Sequence, residues 1–79
     1  MFVVYVLYSD QAGKHYTGYT SNLEERIRSH NEYGSDWTSR HRPWRLIYVR
    51  SFDVKQEALM YERWLKSGVG RNFIQSLAH

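Results

Sequence analysis

Phe2 to Tyr8 is an unbroken apolar and aromatic run, rich in valine. It predicts a strand covered on both faces and therefore central in its sheet. Ser9 to Gly13 supplies turn residues and Lys14 to Thr20 alternates, so the two runs make a hairpin. With Ser9 to Ala12 as the loop, Tyr8 opposes Gly13 and Tyr5 opposes Tyr16, which puts both rings on one face. A slip of one residue would place them on opposite faces. Ser21-x-x-Glu24 is a capping box that starts a helix near Asn22, and Gly34 stops it. Residues 33–43 form a loop holding Trp37 and the only proline, Pro43. Trp44 to Arg50 reads as a third strand. Asp53-x-x-Gln56 is a second capping signal, opening a helix from Val54 to about Ser67 with Ala58, Tyr61 and Leu65 as its core stripe. Gly68 and Gly70 end that helix, and Asn72 to Ala78 forms a short last one. The order is ββαβαα. This is an α+β domain: a small, mostly antiparallel three-stranded sheet with two main helices and a short C-terminal helix, expected to be one unit over residues 1–79.

Composition narrows the function classes. A chain of 79 residues supports one modest core. It has no cysteine, which removes disulfides and thiolate metal sites and fits a reducing cytoplasm. No apolar run approaches the ~20 residues of a membrane span, and Met1-Phe2-Val3-Val4 lacks the basic start of a signal peptide. The formal charge is +3, a weak pull toward anionic partners. The kind of basic residue says more: eight of the eleven are arginine, whose planar fork suits phosphate and stacks on bases. Arginine among many tyrosines and tryptophans suits nucleic acid, although aromatics also fill small cores.

The first helix carries an oddity. Its inward stripe at i, i+3, i+4, i+7 is Leu23, Arg26, Ile27 and His30, so two of four places hold ionisable groups. An arginine on the core side is costly unless it has a partner or a task. The bland readings of each residue are core packing for Tyr5 and Tyr16, snorkelling for Arg26, a helix-end dipole contact for His30, and a solvated pair with Lys66 for Glu62.

Taken together these residues resemble the GIY-YIG nuclease superfamily. Val3-Val4-Tyr5 matches the end of the first signature and Tyr16-Thr17-Gly18 the second. Arg26 and His30 fit the helix pattern L-E-x-R-x-x-x-H, and Glu62 fits the glutamate of the following helix. Arg42-Pro43 and Leu65-Lys66-Ser67-Gly68 resemble the small stand-alone bacterial members. The first signature departs from the family in reading Val-Val-Tyr rather than Gly-Ile-Tyr, and no further DNA-binding domain is evident.

The resemblance implies a cytoplasmic endonuclease that hydrolyses phosphodiesters, expected to be in DNA, with one Mg²⁺ or Mn²⁺ ion. It casts Tyr5, Tyr16, Arg26, His30 and Glu62 as catalytic, with Glu62 as the metal ligand. Arg26 supplies permanent charge to the phosphate. Tyr5 holds or deprotonates the attacking water, its pKa lowered by Arg26 and the metal. Tyr16 positions the water or phosphate, and His30 relays a proton. The basic loop with Arg40, Arg42 and Arg45 is the expected backbone contact. Gly68-Val69-Gly70-Arg71 lacks the ending of a P-loop and reads as helix punctuation. Asn72 is a candidate for the supporting asparagine of some relatives. A non-catalytic nucleic-acid-binding module and a protein-interaction domain stand as the alternatives.

Overall fold

The protein is described by a computed structural model covering residues 1–33 and 40–77, apart from the Tyr33 side chain. Gly34, Trp37 and Ala78, named above as a helix stop, a loop residue and a helix end, lie outside the described residues. Three antiparallel strands form one sheet in the order β2-β1-β3, with β1 at Phe2–Ser9, β2 at Lys14–Thr20 and β3 at Arg45–Phe52. β1 is central, as its two-faced apolar run requires. Helix α1 spans Leu23–Arg28 and passes into one π-helical turn, Ser29–Tyr33. Helices α2, Lys55–Leu65, and α3, Gly68–Ser76, complete the ββαβαα order.

The alternation of β1 sorts the core into two layers. Val4 and Val6 point to α2 and α3, where they pack with Ala58, Leu65 and Ile74. Tyr5 and Leu7 point the other way, onto Trp44, Tyr16, Leu23 and Ile27. Tyr61, the middle of the expected α2 stripe, is half-buried, its hydroxyl 2.8 Å from that of Tyr48.

The hairpin register differs from the expected one by two residues. Ser9 pairs with Lys14, Leu7 with Tyr16 and Tyr5 with Gly18. Ser9 is buried strand rather than turn: its hydroxyl accepts from the Ala12 amide at 3.1 Å and its carbonyl from Gly13 at 2.8 Å. The turn is therefore Asp10–Gly13, closed by Gly13 at φ 65°, a left-handed conformation cheap only for glycine. Since side chains alternate with period two, a shift of two leaves every face assignment intact.

Both expected helix caps are displaced. Asn22, not Ser21, caps α1, its Oδ1 accepting from the Glu25 amide at 3.2 Å while Thr20 fixes its backbone. An Asn cap satisfies an orphan amide as well as a serine does. Helix α2 begins after Val54 with no side-chain cap, so Asp53 does not serve. The third strand starts one residue late and runs to Phe52; its pairing with β1 shifts between Val6 and Leu7. The last helix starts four residues early. Ser67 caps it, and Gly70 lies where a Cβ would run into the Trp64–Leu65 backbone. Gly70 thus lets the two helices meet at close range rather than merely ending one, while a Cβ at Gly68 would meet nothing.

Candidate active site

The site is built on the face of β1 that carries Tyr5. That side chain is fully buried, and a tyrosine hydroxyl taken out of water needs partners. The hydroxyl lies 3.0 Å from His30 Nε2, and the nearby Arg26 guanidinium acts on it to favour the ionised form. Gly18 makes room, because a Cβ there would lie 2.6 Å from the Tyr5 hydroxyl and 2.7 Å from the ring carbon bearing it. Tyr16 sits diagonally, its ring 6.3 Å from that of Tyr5 and 4.6 Å from that of His30. Tyr16 also helps to hold Arg26 protonated. Two phenols from the hairpin, a guanidinium from α1 and an imidazole from the π-helical turn thus form one group, joined by the Tyr5–His30 hydrogen bond, ring contacts and the charge of Arg26.

Arg26 is exposed rather than part of the core, which resolves the oddity of its position in the stripe. The two phenols, Tyr5 above all, hold its guanidinium more firmly protonated. His30 is buried, and a π-helical turn replaces the expected continuation of α1 around it. Glu62, on α2, is half-buried. Its carboxylate is 3.3 Å from Lys66 Nζ, the pairing that simple i, i+4 spacing suggests, yet its charge is also felt at Tyr5.

Arg26 alone, without a metal ion, does not bring the Tyr5 pKa down. Burial pushes the Tyr5 phenol up to about 12; the Arg26 hydrogen bond and charge lower it but do not prevail, and Tyr16 and Glu62 add to the rise. Tyr5 at neutral pH is a neutral phenol, about five powers of ten from majority phenolate. In that form it can donate one hydrogen bond and accept others.

The basic segment is partly occupied by the fold itself. Arg45 makes a two-pronged ion pair with Asp10 at 2.7 and 3.0 Å and lies over the Tyr8 ring. Arg42 Nε donates to the His30 carbonyl at 3.1 Å. Arg40 is exposed. Trp44 is buried under the site, and Asn31 grips both its amide and its carbonyl, at 2.7 and 3.1 Å. Asn72 is exposed on α3. Three supports escaped the sequence reading: Gly18 as clearance, Asn31 as clamp, and Trp44 as floor. The signal for the first was present, since a glycine inside a strand often marks close approach.

Among the described residues no three His, Asp or Glu side chains gather into a metal cage. The donor set fits a hard ion bound through one carboxylate, since Mg²⁺ keeps several waters and takes substrate phosphate oxygens. Glu62 is the residue that could hold it. No helix among the described residues is long and apolar enough to cross a membrane.

Comparison with known proteins agrees with this geometry. The chain is 40% identical over 52 residues to the UPF0213 protein YazA of Bacillus subtilis, covering 65% of this chain and 52% of that one. It is 43% identical over 56 residues to the UPF0213 protein SSP2268 of Staphylococcus saprophyticus, covering 70% and 68%. The matched stretch thus spans roughly half to two thirds of these relatives. The solution NMR structure of the UPF0213 protein BH0048 from Bacillus halodurans superposes with a TM-score of 0.57 at 32% identity, covering 96% of this chain and 84% of that one. The family described as the GIY-YIG catalytic domain matches residues 1–73, and the chain belongs to that family.

Proposed function

We propose that residues 1–79 act as a single catalytic module, an endonuclease that hydrolyses phosphodiester bonds in DNA with one Mg²⁺ or Mn²⁺ ion held by Glu62. The observation that carries this reading is the junction of Tyr5, Tyr16 and Arg26, with the Glu62 charge reaching Tyr5. The ion, when bound, supplies positive charge to the phosphate oxygens.

Arg26 binds the nonbridging oxygens. A guanidinium has five N–H donors, and Arg26 is exposed, so donors are available for phosphate. Tyr16, held by Arg26, orients the phosphate or the attacking water. Tyr5 takes part as a relay rather than as a free phenolate. As its oxygen accepts a proton from water, its own proton passes to His30 Nε2, 3.0 Å away. This route requires the tautomer in which Nε2 is unprotonated, and it avoids ionising a phenol whose burial opposes ionisation. His30 acts only through Tyr5, being buried. Arg40, which is exposed, and Arg42 contact the DNA backbone, and Arg45 joins them on leaving Asp10.

A cleavage panel tests the reading: duplex, single-stranded, flap and junction DNA, and RNA, each with Mg²⁺, Mn²⁺ or EDTA. Metal-dependent nicking of DNA is the expected outcome. Binding without cutting on every substrate would replace the enzyme with a nucleic-acid-binding module.

A further inference from the structure

Helix α1 is weakly anchored by its own packing. It has six residues, none of them fully buried, and Leu23 and Ile27 are only half-buried against the Tyr5 layer. A helix this short has little stability of its own. Yet its continuation carries His30, which is buried and meets the Tyr5 hydroxyl at 3.0 Å. The imidazole is therefore fixed from outside α1, by two tethers that flank it. Arg42 Nε donates to the His30 carbonyl at 3.1 Å. The side chain of the next residue, Asn31, holds the Trp44 backbone at both ends. The Trp44 amide donates to Asn31 Oδ1 at 2.7 Å, and Asn31 Nδ2 donates to the Trp44 carbonyl at 3.1 Å.

These tethers close a circuit. Tyr5 stands on β1, β1 pairs with β3, and β3 begins at Arg45, directly after Trp44. Trp44 holds Asn31, Asn31 is covalently next to His30, and His30 returns to Tyr5. The Asn31 step sets the π-helical turn against the sheet through two bonds at once. Its chemistry belongs to asparagine. One amide both accepts and donates, so it pairs with a backbone unit as a residue of a neighbouring antiparallel strand would. Aspartate keeps the acceptor and loses the donor.

We propose that Asn31 is a positioning residue: it holds His30 Nε2 at the Tyr5 hydroxyl, and the proton relay runs only while this clamp on Trp44 is closed. Asn31 acts through His30 and touches no reacting atom. Its effect on rate rests on the nuclease reading, whereas its effect on the imidazole is measurable with no substrate present. Arg42, the other tether, belongs to the segment assigned to DNA, so Asn31 is the residue whose change separates placement from binding.

The test has two arms, both on the full chain. The first follows the ring nitrogens of His30 by NMR of protein labelled with ¹⁵N-histidine, in EDTA and without DNA. Wild type should show one fixed tautomer. Asn31→Ala should move these nitrogens toward the averaged values of an exposed histidine, and Asn31→Asp, which keeps the acceptor for the Trp44 amide, should lie between. The second arm measures DNA cleavage per folded molecule, with the folded fraction read by circular dichroism. Asn31→Ala should lower kcat about ten- to a hundredfold and leave KM within about twofold, and Asn31→Asp should recover part of the loss. The proposal is overturned if the His30 resonances of Asn31→Ala match wild type, if the loss falls on KM, or if aspartate does no better than alanine. Should Asn31→Ala leave no folded protein, Asn31→Asp against wild type decides by the same two readouts. The expected His30 response in a chain that cuts no DNA would sink the nuclease reading and leave the placement of His30 by Asn31 standing. Cleavage by a chain whose His30 ignores both variants would sink this inference alone.

Discussion

The two faces of the central strand use the same backbone to opposite ends. Toward α2 and α3, β1 presents Val4 and Val6 to Ala58, Leu65 and Ile74, all apolar side chains, and the nearest polar contact is the Tyr48–Tyr61 hydroxyl pair at the margin of the cluster. Toward α1 it presents Tyr5, whose hydroxyl must be answered by His30 and Arg26. The first face is held by area removed from water, which is non-directional and forgiving of small changes of shape. The second is held by hydrogen bonds in a buried group, where each donor and acceptor has one right place. A single strand thus separates stability from chemistry by alternation.

The sharpest way to test that separation is to remove charge from one face and bulk from the other. Arg26→Ala and Glu62→Ala should each lower DNA cleavage by about a hundredfold or more, by analogy with loss of a transition-state donor, while circular dichroism and the thermal midpoint stay close to wild type. If both variants cut normally, the roles assigned to these residues are wrong. Val4→Ala should do the reverse. It opens a fully buried site on the apolar face and should cost about 1.5–3 kcal/mol in urea unfolding, with the residual folded protein keeping its activity per molecule.

Gly18→Ala sharpens the comparison further, since it adds one methyl group where Tyr5 lies. Overpacking of this sort costs about 1–3 kcal/mol, and displacement of the phenol should lower cleavage as well. Tyr5→Phe in the same chain should recover part of the lost stability, because it removes the nearest of the clashing atoms; full independence of the two substitutions would argue against the contact. The smallest effect concerns pH. Tyr5 in the fold is raised above the ordinary phenol value of 10 to about 12. A raised pKa means that the folded chain holds the proton longer than the unfolded chain does. The stability gained by burying the neutral phenol is therefore complete below pH 10 and is lost as the pH rises from 10 through 12. Urea midpoints at pH 9 and pH 11 should diverge in wild type and diverge less in Tyr5→Phe. Equal divergence in both chains would remove Tyr5 as the cause.

Much of this was legible from the chain because it depended on period. The two-faced run at Phe2 to Tyr8, the hairpin and the helix stripes each announce themselves by spacing, and spacing survives errors of detail. The pairing Tyr5–Tyr16 was misplaced by two residues, yet both rings share a face because two is the strand's own period. What spacing does not encode was lost. The choice of Asn22 over Ser21 as a cap turns on local dihedral angles. The grip of Asn31 on Trp44 spans thirteen residues and leaves no local trace. The sign of the Tyr5 shift depends on how deeply the ring is buried against how near Arg26 lies, a contest of magnitudes that no motif reports. Likewise Arg45 reads as a phosphate contact until Asp10, thirty-five positions earlier, is seen to hold it.

Anyone seeking to toughen this scaffold would begin by replacing the weakest strand former in its hairpin with valine or threonine. That residue is Gly18, and the substitution that local propensity recommends would evict the phenol lying across it. At this one position durability and catalysis pull against each other, and the bare backbone is the compromise.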